Sequence, residues 1–152
     1  MLSPDFEERK RAAQRRSERF RILNRLRERG VDPDTFPHRF FTPEEEATFL
    51  ATEMPGMRRD CRRVEVVVGW AAVVGRIAEW AESRPEVAIW YDAQPGNGGL
   101  VLPGKLLARE LDAVISALHQ RGNVMLATPD CRCGCVYFEE EYENHFAIWG
   151  DA

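Results

Sequence analysis

The chain has 152 residues, 44% of them hydrophobic and 30% charged, which is the length and composition of one globular domain. Wholesale disorder and a membrane-embedded chain are both excluded by that balance. The formal charge of −4 argues against a protein built throughout for nucleic acid, but it is unevenly spread. Residues 1–30 hold ten Lys/Arg against five Asp/Glu, a balance of +5, while residues 31–152 carry −9. The expected organisation is therefore a basic N-terminal helix or arm over 1–30 joined to a single acidic domain over 31–152.

The opening residues turn charged at once, without the apolar stretch of a secretory signal. No uncharged run approaches the roughly 20 apolar residues that cross a bilayer. Four cysteines without an export signal suit a reducing compartment, so a cytoplasmic location with no membrane partner is expected.

Residues 4–29 read as a helix. Pro4 suits its first turn, Asp5, Glu7 and Glu8 favour its positive end, and Gly30 is a natural stop. Its apolar stripe is thin at first (Phe6, Ala13, Phe20) and widens to Ile22, Leu23 and Leu26, so the C-terminal half is expected to dock on the domain. A short strand near His38–Phe41 precedes Thr42-Pro43-Glu44-Glu45, a helix start with Thr42 as cap and Glu45 as its capping-box partner. Period alone leaves residues 58–83 open. The β-branched density at Val64, Val66 and Val68 favours a strand there, followed by a helix from about Trp70 to Ser83.

Residues 87–91 read as a buried strand, Gln94–Gly99 as a turn and 100–102 as a short strand. Pro103 is expected to open a helix whose stripe is Leu107, Leu111, Val114, Ile115 and Leu118. Strands at 124–128, 136–142 and 146–149 complete the chain. The fold class is α+β, a mixed α/β sandwich with an N-terminal charged helix, a central β-α-β-α segment and C-terminal antiparallel strands.

The most distinctive string is Cys131-Arg132-Cys133-Gly134-Cys135. One reading is a thiolate zinc site, or a cysteine-dependent enzyme, built from Cys131, Cys133, Cys135 and His145, with Cys61 or His119 as other sources of a fourth ligand. Alternate residues of a strand lie roughly 6.6 Å apart, whereas two sulfurs on one zinc lie roughly 3.8 Å apart. The segment must therefore curl at Gly134 to chelate. The plainer reading is small, semi-apolar side chains lining a turn and a sheet edge.

Pro95-Gly96-Asn97-Gly98-Gly99 lacks the lysine and hydroxyl of a phosphate loop and reads as a hairpin turn. No serine sits in a nucleophile elbow, and the three histidines form no metal pair. The tryptophans fall in apolar elements and read as core.

Two charged features remain. Glu139, Glu140, Glu141 and Glu143 offer an acidic face to a basic protein partner. Arg15, Arg16 and Arg19 offer phosphate contacts to a nucleic acid, which the acidic body would repel. The expectation is a non-enzymatic cytoplasmic protein-binding module acting through the acidic face, by analogy with regulators and the immunity proteins that neutralise bacterial toxins. The metal or cysteine-enzyme reading and the nucleic-acid reading are its alternatives.

Overall fold

The computed structural model describes residues 3–49, 51, 61–66, 69–90, 99–118, 123–139 and 144–150. Among the described residues, seven strands form one sheet: β1 (Arg39–Phe40), β2 (Cys61–Val66), β3 (Glu86–Trp90), β4 (Leu100–Pro103), β5 (Asn123–Ala127), β6 (Gly134–Glu139) and β7 (Asn144–Trp149). Their order is β1-β4-β3-β5-β6-β7-β2, and every neighbouring pair is antiparallel. The helices are α1 (Pro4–Glu28), α2 (residues 43–49), α3 (Trp70–Glu82) and α4 (Gly104–Leu118). The architecture is α+β, with the N-terminal helix and C-terminal strands in the places expected.

Side chains alternate along each strand, so the sheet has two apolar faces. Val87, Ile89, Leu100, Leu102, Val124, Leu126, Cys135, Tyr137 and Phe146 point to one face. There they meet Ile77 and Trp80 of α3, Leu107, Leu111 and Ile115 of α4, and Ile22 and Leu26 of α1. Ala88, Val101, Ala127, Val136, Ala147 and Trp149 point the other way and pack with Phe41 and with Phe49 of α2. Phe49 stacks on Trp90 with ring centroids 4.8 Å apart and planes 10° off parallel. Small residues dominate this second face, which lets the aromatic rings lie flat against it.

Local chemistry fixes the helix ends. Ser3 caps α1 by accepting the Phe6 N–H at 3.3 Å. At the other end the N–H groups of Arg29, Gly30 and Val31 satisfy the Leu26 and Arg27 carbonyls. The capping box of α2 forms reciprocally: Glu45 N–H donates to Thr42 Oγ1 at 3.1 Å, and Thr42 N–H donates to Glu45 Oε1 at 3.0 Å.

Pro103 departs from expectation. It ends β4, paired with Glu86, and α4 opens on Gly104 instead. The reason is close approach: a Cβ on Gly104 would lie 2.1 Å from the Arg84 carbonyl oxygen and 2.3 Å from that of Ala81. Only a residue without a side chain lets α4 start so near the end of α3. The turn expected at 94–99 lies outside the described residues except for Gly99.

Candidate functional site

Three features of the described surface bear on function: the loop that carries the cysteines, a cleft at the β1 edge, and the outer half of α1.

The loop joins β5 to β6 over residues 128–133. Thr128 N–H donates to the Cys133 carbonyl at 2.9 Å, and Cys131 N–H donates to the Thr128 carbonyl at 2.8 Å. Asp130 Oδ1 accepts the Thr128 hydroxyl at 2.6 Å and the Arg132 N–H at 3.1 Å. Those contacts, the hydroxyl foremost, hold the Asp130 carboxyl below its usual range. The curl falls at Cys131, whose φ is +61°, and not at Gly134, which already belongs to β6. Curling there separates the thiols. Cys131 is buried in the second-face cluster, while Cys135 is buried in the helix-side core and Cys133 packs partly buried against it. His145 is half-buried and, two residues before Ala147 in β7, falls on the second-face side.

Cys131, Cys133, Cys135 and His145 are thus not brought together, and no three His, Cys, Asp or Glu converge among the described residues. Burial pushes the Cys135 thiol far above its ordinary value, the opposite of what a thiolate ligand or nucleophile needs. Cys61 is in β2, and His119 lies outside the described residues.

The cleft, about 390 Å³, opens between Pro37, His38 and Arg39 on one side and Pro85, Glu86 and Pro103 on the other. Its charge is internally matched. Arg39 donates to Glu45 through both Nη atoms, at 2.5 and 2.9 Å, and its Nε lies 3.8 Å from Glu86. The double contact raises Arg39 above its ordinary value and lowers Glu45 below its own. Its residues come from three separate segments, so no local pattern in the sequence marks it.

Of the acidic strand end, Glu139 is exposed and accepts the Tyr137 hydroxyl at 3.0 Å. Glu140, Glu141 and Glu143 lie outside the described residues.

Helix α1 is buried only at Ile22 and Leu26. At 100° per residue these two lie roughly 160–200° around the helix from Phe6. Ala12, Arg15 and Arg19 follow the same half-buried side, and Arg19 sets its guanidinium 5.0 Å over the Phe40 ring. Arg15, Arg16 and Arg19 therefore do not form one outward patch: only Arg16 of the three is exposed.

The opposite side is a different surface. Phe6, Ala13 and Phe20 recur every seven residues, span roughly 40° of arc and face away from the domain. Phe6 is 45% exposed and Phe20 65%. Arg9, Lys10, Arg16 and Arg21 flank them, all exposed. Arg21 pairs with Glu18 at 3.1 Å, whereas Arg9, Lys10 and Arg16 take part in no ion pair among the described residues. The acids of this stretch, Asp5, Glu7, Glu8 and Glu18, all fall outside the roughly 160° sector that holds the two rings. The signal was present in the sequence as a thin stripe. What it lacked was the knowledge that Ile22 and Leu26, on the other side, take the domain contact.

No family model, curated protein or solved structure matches this chain.

Proposed function

We propose that this chain is a protein-binding module that engages its partner through the outward side of α1. The observation that carries the reading is the pair of exposed rings, Phe6 and Phe20, on a helix whose neighbouring Arg9, Lys10 and Arg16 take part in no ion pair among the described residues. Aromatic rings and arginines are the residues that dominate binding energy at protein interfaces when water is excluded from them. The two rings lie about 21 Å apart along the axis, a span that one partner helix or strand covers. A body of charge −9 opposes a long phosphate backbone, and the four cations that flank the two rings are few for one. Both facts favour protein over nucleic acid. A reducing compartment, the cytoplasm, belongs to the same reading.

The test is capture by the immobilised full chain, read by quantitative mass spectrometry. A discrete set of proteins retained by wild type and by Lys105→Ala, an exposed change on α4, should be lost by a Phe6→Ala/Phe20→Ala variant with an unchanged melting temperature. Retention of the same set by the double variant refutes the assignment of this surface.

A further inference from the structure

Resting on the reading of α1 as a docking surface, we infer the chemistry of what docks there: an acidic amphipathic helix with apolar residues every seven positions, and not a second copy of this chain. The apolar pattern alone permits self-association. Phe6 and Phe20 are symmetric about Ala13, so two α1 helices laid antiparallel with Ala13 at the crossing bring each Phe6 against the other copy's Phe20. Antiparallel packing faces each flank of the seam with the same flank of the other copy, so Arg9 and Arg16, which share one flank, meet the other copy's Arg16 and Arg9. Like charges directly opposed in an interface are destabilising. Neither Arg9 nor Arg16 takes part in an ion pair among the described residues that would relieve this.

A heptad-spaced apolar seam with cations along both flanks is complemented by the same seam with carboxylates along both flanks. The Phe spacing supplies the register and the cations supply the choice of partner. A flat bilayer is a poor alternative occupant. Phe6, Ala13 and Phe20 make an apolar strip only about 40° wide, short of the broad face that interfacial helices bury.

The test uses the full chain and synthetic helical probes of 21 residues. One probe carries Leu at positions 4, 11 and 18 with Glu at the flanking seam positions; a second carries the same Leu set with Lys in place of Glu; a third is a single-stranded 20-nucleotide DNA. Fluorescence anisotropy at low salt should show the Glu probe bound at least tenfold more tightly than the Lys probe or the DNA. Its affinity should fall severalfold between about 50 and 500 mM salt, as charge pairs are screened. An Arg9→Glu/Lys10→Glu/Arg16→Glu variant should reverse the order of the two peptides, which a loss of folding would not do. Phe6→Ala/Phe20→Ala should weaken the Glu probe without reversing the order. Equal binding of both peptides, binding of neither, tighter binding of DNA, or a concentration-dependent dimer abolished by Phe20→Ala would each overturn the inference. The capture experiment above is scored separately: partners lost with the two phenylalanines while no peptide binds would uphold the docking surface and discard the acidic helix.

Discussion

Replacing Gly134 by Ala tests how tightly the second face of the sheet is packed. Gly134 has ordinary extended backbone, so Ala meets no conformational strain there. A Cβ at this position would lie 1.9, 2.1 and 2.5 Å from three atoms of the Trp149 indole. Carbon atoms pack at about 3.5–4.0 Å, so the ring must retreat by about 1.5 Å. Trp149 is only 3% exposed and sits among Phe49, Val136 and Ala147, which leaves it little room. Overpacking of this kind costs about 1–3 kcal/mol, and the three simultaneous contacts place this case near the top of that range. The gain of about 0.5–1 kcal/mol that Ala has over Gly inside a strand offsets part of it.

The net expectation is a loss of about 2 kcal/mol, or a melting temperature lower by about 4–8 °C in a chain of this length. The mechanism, not only the cost, is open to measurement. Trp149→Phe shortens the ring at the point of collision and removes a buried indole N–H that has no hydrogen-bond partner among the described residues. Urea unfolding of wild type, both single variants and the double variant should therefore show Gly134→Ala/Trp149→Phe more stable than the sum of the singles predicts, by about 1–2 kcal/mol. Additivity within about 0.5 kcal/mol would mean that the ring is not the obstacle, and the packing argument would fail.

Two residues of α1 should behave as opposites. Leu26→Ala, in the core, should cost about 2–5 kcal/mol, whereas Phe20→Ala should change stability by less than about 0.5 kcal/mol; comparable losses in thermal melts would contradict the division of the helix into two sides. The Arg39 guanidinium first, then the Thr42 N–H, hold Glu45 below its ordinary 4.5. Its contribution is therefore complete above pH 4.5 and disappears as pH falls through the lowered value. Glu45→Gln should cost about 0.5–1 kcal/mol at pH 7, discounted for the exposure of Arg39. Urea midpoints of the two proteins should converge toward pH 3, and a constant gap would be the wrong result. The Cys135 thiol, buried and pushed up in pKa, should resist iodoacetamide at pH 8 until urea opens the core, as peptide mass spectrometry would record. Rapid labelling of Cys135 in the native protein would show that its site opens.

Features governed by neighbours in the chain were legible in the sequence. The Thr42–Glu45 box needs only four residues to define its geometry, and the alternation of Val87 and Ile89 against Ala88 marks a strand buried on both sides. The helix from Trp70 and a strand over Val64 and Val66 follow the β-branched density, but the strand begins earlier, at Cys61, where no β-branched residue announces it, and 67–68 lie outside the described residues. Features set by distant contacts were not. Nothing near Pro103 says that Arg84 and Ala81 carbonyls crowd the next residue. Chelation would need a curl at Gly134; the positive φ falls at Cys131 instead, with Cys131 on the second face and Cys133 and Cys135 on the helix side. The two sides of α1 could be drawn on a wheel from the sequence, but choosing the inward one needed the α4 contact.

The strand order has a kinetic corollary. Strand β7 joins β6 through a hairpin but joins β2 across about 80 residues of chain, and β2 closes the edge opposite β1. The entropy of closing a loop grows as (3/2)RT ln n, so docking β2 costs about 2.5 kcal/mol more than forming the β6–β7 hairpin. By loop entropy alone, β2 is expected to dock after the β6–β7 pair has formed, and as an edge strand its release leaves the rest of the sheet paired. Until it arrives, β7 presents a bare ladder of N–H and C=O groups to any extended chain nearby. Exchange of β2 between two molecules is the misassembly to which this topology is most exposed, and newly made chains at high concentration are where it would first be seen.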